Sequence, residues 1–202
     1  MNQTRILSTR NLVLIGMLGS LSAVLMLFKF PLPFAPAFYT VDFSEVPVLI
    51  GAFALGPITG ILIEFVKILI NFVLNGTYTA GIGEFANFLS GAILVFTAAS
   101  IYTRKKTKTS AIIGLFTATI VMSIASCFIN YFITLPAYFT LCGYNWDMIL
   151  GMVPKGNTLV TGQMTFLLLA VLPFNLVKCG LSSLITLLLY KPLSPIIKGQ
   201  FR

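Results

Sequence analysis

Residues 44–75 read SEVPVLIGAFALGPITGILIEFVKILINFVLN, and the fold turns on how many helices this run makes. Ser44, Glu45 and Pro47 form a helix start, a capping hydroxyl followed by an acid and a proline in the first turn. The apolar stretch from Val46 to Leu55 is well short of the ~20 residues that a bilayer crossing needs. Gly56-Pro57 breaks it, and a second apolar run continues from Ile58 to Leu74. The run is therefore either a short helix at about 45–55 and a longer one at about 58–74 joined by a tight turn, or one kinked helix over 45–74.

Charge separates the two readings. Nine of the 13 basic residues lie in three clusters: Arg5 and Arg10, then Arg104, Lys105, Lys106 and Lys108, then Lys191, Lys198 and Arg202. Basic clusters mark the cytoplasmic side of a membrane protein. Both termini and the 104–108 loop share that side only if an even number of segments separates them. Further helices are expected at about 11–29, 84–102, 110–136 and 161–190, the last two ended by Pro136 and by Lys191-Pro192. Two helices in 45–74 complete an all-α membrane domain of six transmembrane helices over residues 1–202, multi-pass, with both termini cytoplasmic; one kinked helix breaks the charge pattern. The run at 11–29 is too long for a signal peptide and no small-residue cleavage site follows it.

Composition agrees. Charged residues make up 9% of the chain and mean hydropathy is +0.98, whereas a soluble domain carries about 25% charged residues. The net charge of +8 is a topology signal, not a nucleic-acid footprint. There is no His, so imidazole catalysis and His metal sites are excluded. Cys127, Cys142 and Cys179 lack metal-binding spacing; Cys127 and Cys179 read as buried hydrophobes. Gly51 and Gly56 have phosphate-loop spacing, but Pro57 and Ile58 follow where Lys and Ser/Thr are required, so any ATPase is another chain. No catalytic residue, metal site or catalytic cofactor is expected.

Ionisable residues at membrane depth cost at least ~2.5 kcal/mol each and need a partner or a task. Glu64, Lys67 and Asn71 share one helix face, and Glu64 and Lys67 are placed to neutralise each other. Glu84, Asn87, Asn130, Asn175 and Lys178, from three helices, fall towards the outer half of the membrane. They either hold the bundle together by interhelical hydrogen bonds or line a ligand cavity open to the outside. Amide and ammonium donors beside a carboxylate, among Phe, Tyr and Met, suit a planar organic molecule with polar edges. The loop over residues 30–43 carries three prolines and five aromatics, a stiff roof for such a cavity. Trp146 lies in a second outer loop, 137–160.

The segments Phe30-Pro-Leu-Pro-Phe34, Val41-Asp-Phe-Ser-Glu-Val-Pro47, Leu49 through Pro57, Gly76-Thr77, Ala80 through Phe88 and, more weakly, Asn130 and Pro173 through Lys178 resemble the substrate-binding components of energy-coupling factor vitamin transporters, most closely the riboflavin-specific members. The resemblance implies high-affinity capture of riboflavin, as transported ligand, at a bacterial cell membrane. It also implies a coupling transmembrane subunit and two cytoplasmic ATPase subunits as partners. It adds Tyr39, Val41 and Asp42 to the ligand set. On it, Asn87, Asn130, Asn175 and Lys178 satisfy the flavin ring, and Glu84 accepts from ribityl hydroxyls or orients Lys178. The family's small-residue docking motif on helix one matches Gly16 and Ser20, with Gly19 and Ala23 as a second pair. Another vitamin is the alternative within this class. An intramembrane enzyme lacks a paired nucleophile and base, and a channel lacks a polar path, since the cytoplasmic halves of the helices hold mainly Gly, Ser and Thr.

Overall fold

A computed structural model describes residues 8–36, 38–77, 79–154 and 159–198, with backbone alone for 192–198. Arg5, Lys155 and Arg202 therefore lie outside the described residues. The chain runs through α1 (Thr9–Leu27), strands β1 (Phe30–Pro31) and β2 (Thr40–Val41), α2 (Glu45–Leu55), α3 (Pro57–Asn75) and α4 (Ile82–Lys105). α5 is continuous through Lys108–Ile129, a π turn at Asn130–Thr134 and Leu135–Leu141. α6 is Trp146–Gly151, and α7 joins Gln163–Phe166, a π turn at Leu167–Val171 and Leu172–Lys198. Five of these helices are long and apolar enough to cross a membrane; α2, at 11 residues, is not. Large apolar side chains such as Val13, Phe65, Phe96, Phe116 and Leu188 are exposed on all five, as a lipid-facing surface requires.

The 44–75 run forms two helices folded back on each other. Gly56 joins them at φ 109°, a conformation costly for any residue with a Cβ, and Pro57 starts α3 where no N–H is needed. Gly60 of α3 meets Ala52 of α2 so closely that an added Cβ would sit 2.5 Å from the Ala52 Cβ. In one continuous helix these residues would be about 12 Å apart along the axis. α2 is the centre of the bundle, buried from Glu45 to Phe53 and packed against α1, α3, α4 and α7.

Two expected helix ends are not ends. α5 continues through Pro136, because the π turn before it rearranges the backbone hydrogen bonding and Pro136 enters at the start of the next helical segment. α7 continues through Pro192 to Lys198; a proline removes one backbone bond and kinks a helix without having to end it.

The proline-rich loop is not helical. β1 and β2 pair antiparallel, Phe30 with Val41 and Pro31 with Thr40. Ala35 and Val41 are buried against Phe174 of α7, so the loop is folded over one end of the bundle. In the loop that follows α5, α6 lays Trp146 against Phe139 of α5 and Phe166 of α7. Cys179 is buried, whereas Cys127, expected to be so, is only partly buried.

Candidate functional site

Tyr39 follows the loop's last turn and reaches across to α5, where its hydroxyl donates to Asn130 Oδ1 at 2.7 Å. Its ring stacks on Phe174 at 4.9 Å and on Phe166 at 6.4 Å between centroids. Burial of the hydroxyl raises the Tyr39 pKa well above the usual phenol range, so it stays a donor. Asn130 opens one π turn and spends one N–H on the Ser126 carbonyl at 2.8 Å. Asn175 does the same to Val171, the last residue of the other π turn, also at 2.8 Å. Each amide keeps a second N–H for another acceptor.

Three residues beyond Asn175, on the same face of α7, Lys178 Nζ lies 3.5 Å from Asp42 Oδ2. Asp42 Oδ1 accepts from the Ser44 N–H at 2.9 Å. Burial works against the Asp42 carboxylate, but Lys178, then Lys67, and Ser44 outweigh it and hold its pKa below the ordinary Asp value. Glu45, the first residue of α2, places Oε1 2.7 Å from Lys67 Nζ, and Glu64 Oε2 lies 2.7 Å from the same ammonium. Lys67 and Glu64 are fully buried. The expected Glu64–Lys67 pair is thus a triad. Glu45 was legible only as a helix start; the available signal was an acid opening an apolar helix that has no solvent face.

Tyr39, Val41, Asp42, Asn130, Asn175 and Lys178 are therefore gathered where the loop meets α5 and α7. Glu84 is placed differently. Its Oε2 accepts from Thr77 Oγ1 at 3.0 Å and Thr79 Oγ1 at 3.4 Å, and the carboxylate that orients Lys178 is Asp42. Asn87 is half-buried one turn further along α4. Ser90 and Ser126 Oγ atoms meet at 3.3 Å, which sets Asn87 and Asn130, each about one turn beyond its serine, at one level of adjoining helices. An apolar groove of about 220 Å³ between α3 and α4 also touches Glu84, but Phe65, Ile68, Leu69, Phe72, Phe85 and Phe88 form the rest of it, so it offers a polar ligand little.

The gathered set has N–H donors, an ion pair and two aromatic faces, which suits recognition of a flat, polar-edged molecule. Among the described residues no cluster of metal-binding side chains occurs. On α1, Gly16 has nothing within 4 Å of an added Cβ and Ser20 is exposed. Gly19 faces inward, where an added Cβ would sit 2.6 Å from Val66 Cγ1, and Ala23 is fully buried.

The family described as ECF transporter, substrate-specific component, matches residues 10–190. The riboflavin transporter RibU of Staphylococcus aureus (strain TCH60) is 37% identical over 191 residues, 94% of this chain and 93% of that protein. The riboflavin transporter FmnP of Bacillus subtilis (strain 168) is 28% identical over 195 residues, 96% of this chain and 97% of that one. A solved structure of the S component of a bacterial ECF transporter superposes with a TM-score of 0.71 at 37% identity, covering 93% of this chain and 97% of the other.

Proposed function

The chain belongs to the family of substrate-specific components of ECF transporters, and from that premise we propose that it captures riboflavin from outside the cell for an ATP-driven importer. It is a multi-pass bacterial membrane protein and a transport component, not an enzyme. The observation that carries the reading is the meeting of Tyr39, Asn130, Asn175, Phe174, Asp42 and Lys178 under the β1–β2 loop. Spare amide N–H groups and the Lys178 ammonium match the carbonyl edge of an isoalloxazine ring, and the Tyr39 and Phe174 rings supply stacking surface. Glu84, Asn87, Thr77 and Thr79 lie at the same end of the bundle and suit the ribityl hydroxyls.

The six-segment topology, with α2 as a half-length inner segment and both termini cytoplasmic, agrees with the three basic clusters. It sets the β1–β2 loop and α6 on the outer face as the cap of the site. A coupling membrane subunit and two ATPase subunits complete the importer, with Gly16 and Ser20 on the open face of α1 as the docking surface. Gly19 and Ala23 are used up by packing against the rest of the bundle.

Protein purified in detergent from cells is expected to be yellow, to release flavin on denaturation, and to bind added riboflavin once stripped. Colourless protein that also leaves added riboflavin unbound would overturn the assignment of ligand. Saturable binding of a different vitamin would replace it.

A further inference from the structure

Five buried charged groups form a chain across three elements: Lys178 of α7, Asp42 and Glu45 flanking the start of α2, and Lys67 and Glu64 of α3. On the reading of Lys178 as a ligand contact, we propose that Glu45 is a positioning residue for riboflavin capture, anchoring the first turn of α2 to Lys67 and thereby setting the Asp42 carboxylate that orients Lys178.

The links have different stiffness. At 3.5 Å the Lys178–Asp42 pair is longer than a charge-assisted hydrogen bond of about 2.7–2.9 Å. The ammonium is thus aimed but not consumed, and a ligand acceptor can complete its shell. Asp42 itself is held firmly, because Ser44 N donates to it at 2.9 Å and the Val46 N–H closes a turn onto the Phe43 carbonyl at 3.1 Å. The position of Asp42 therefore follows the first turn of α2. That turn is in turn fixed by the 2.7 Å contact of Glu45 with Lys67, both buried. Glu64 touches the same ammonium but sits three residues away on the same helix. It contacts Lys67 within one helix and does not tie α3 to another element.

This difference allows a matched test. Glu45→Met and Glu64→Met each remove one carboxyl group from Lys67, keep similar side-chain length, and leave the other carboxyl group in place. Riboflavin affinity is measured by titration of the purified full-length protein in detergent, with thermal unfolding in parallel. Glu45→Met is expected to weaken binding at least 10-fold and Glu64→Met less than 3-fold, even where both lower the unfolding temperature. In combination with Lys178→Met, Glu45→Met is expected to add no further loss, since it acts through that lysine. Asp42→Asn, outside the helices, supplies a second route: it is expected to weaken binding and likewise to add nothing to Lys178→Met. Equal losses from the two glutamate variants, or losses that multiply with Lys178→Met, would overturn the proposal. If Glu45→Met does not fold, Asp42→Asn decides, and binding as tight as in the parent protein overturns it. Failure of the parent protein to bind riboflavin strikes the ligand assignment instead, so the two failures are distinct.

Discussion

Gly91 of α4 presses its bare Cα against the Glu64 carboxylate of α3, where an added Cβ would collide with the carboxylate carbon and oxygens. The carboxylate has little room to retreat, because it is fully buried and drawn to Lys67 at 2.7 Å. Close approach of helix backbones at small residues is how membrane helices pack. Here it brings a charged triad into the same contact.

Gly91→Ala is therefore expected to destabilise the protein by about 1–3 kcal/mol, the range for overpacking a filled interior. Gly16→Ala is the control: nothing lies within 4 Å of its added Cβ, so replacing a helical glycine should stabilise slightly, by about 0.5–1 kcal/mol. Thermal unfolding of the two variants in detergent measures the difference. A Gly91→Ala protein as stable as its parent would show that Glu64 can move aside.

Lys178→Met keeps the stem and removes the ammonium. Loss of a hydrogen bond to a charged group costs about 1.5–3 kcal/mol, or roughly 10- to 150-fold in affinity. Riboflavin titration should show that loss while the protein still folds. Unchanged affinity with a large drop in unfolding temperature would make Lys178 a purely structural partner of Asp42.

The lowered pKa of Asp42 has a definite sign in pH. Its folded value lies below the unfolded value of about 3.9, so its contribution is complete above that value and disappears as pH falls through the folded pKa. Stability should be indifferent to Asp42 between pH 5 and 8 and fall below about pH 4. Lys178→Met removes the largest group that lowers this pKa. Acid unfolding should then begin at higher pH than in the parent, and an unshifted acid limb would mean that Lys178 does not hold the carboxylate down.

Trp146 is the chain's single tryptophan. It contacts Phe166 at 5.9 Å between centroids, and Phe166 in turn stacks with Tyr39. A flavin bound beside Tyr39 would be near enough to accept excitation from the indole. Riboflavin titration should quench emission saturably, and quenching should track affinity across the variants above. Binding without quenching would move the ligand away from α6.

Much of the architecture was legible because its signals are local. Gly56-Pro57 announces a break at the residues that make it, and the long apolar runs report their helices by their own length. The candidate site was half legible: Asn130, Asn175 and Lys178 stand out as polar residues in apolar helices. What pairs with them did not, because Asp42 meets Lys178 and Glu45 meets Lys67 across elements distant in sequence. Orienting Lys178 is one of two roles the sequence offers Glu84, yet Thr77 and Thr79 of the preceding loop take its carboxylate first. The helix ends at Pro136 and Pro192 were misjudged for a related reason: a proline reports a lost donor, not whether the surrounding backbone, such as the π turn before Pro136, absorbs the loss.

The two faces of α1 allow capture to be tested apart from transport. Gly16 and Ser20 lie on the open side, among exposed Val13, Met17, Leu21 and Val24, while Gly19 and Ala23 are pressed into the bundle. Lipid supplies no hydrophobic drive between helices, so a partner helix docks by close approach over small residues. Gly16→Leu with Ser20→Leu fills such a surface without touching the interior. Gly16 is six residues past Arg10, about 9 Å along the helix, which puts it in the half of the membrane opposite the β1–β2 cap if the basic N-terminus is cytoplasmic. The double variant should therefore bind riboflavin like the parent when isolated, yet fail to co-purify with a coupling subunit and fail to support uptake in cells. Gly19→Leu should behave in the opposite way: its side chain runs into Val66, and the expected result is poor folding and loss of binding together. If the double variant still assembles and transports, the open face of α1 is not the docking surface.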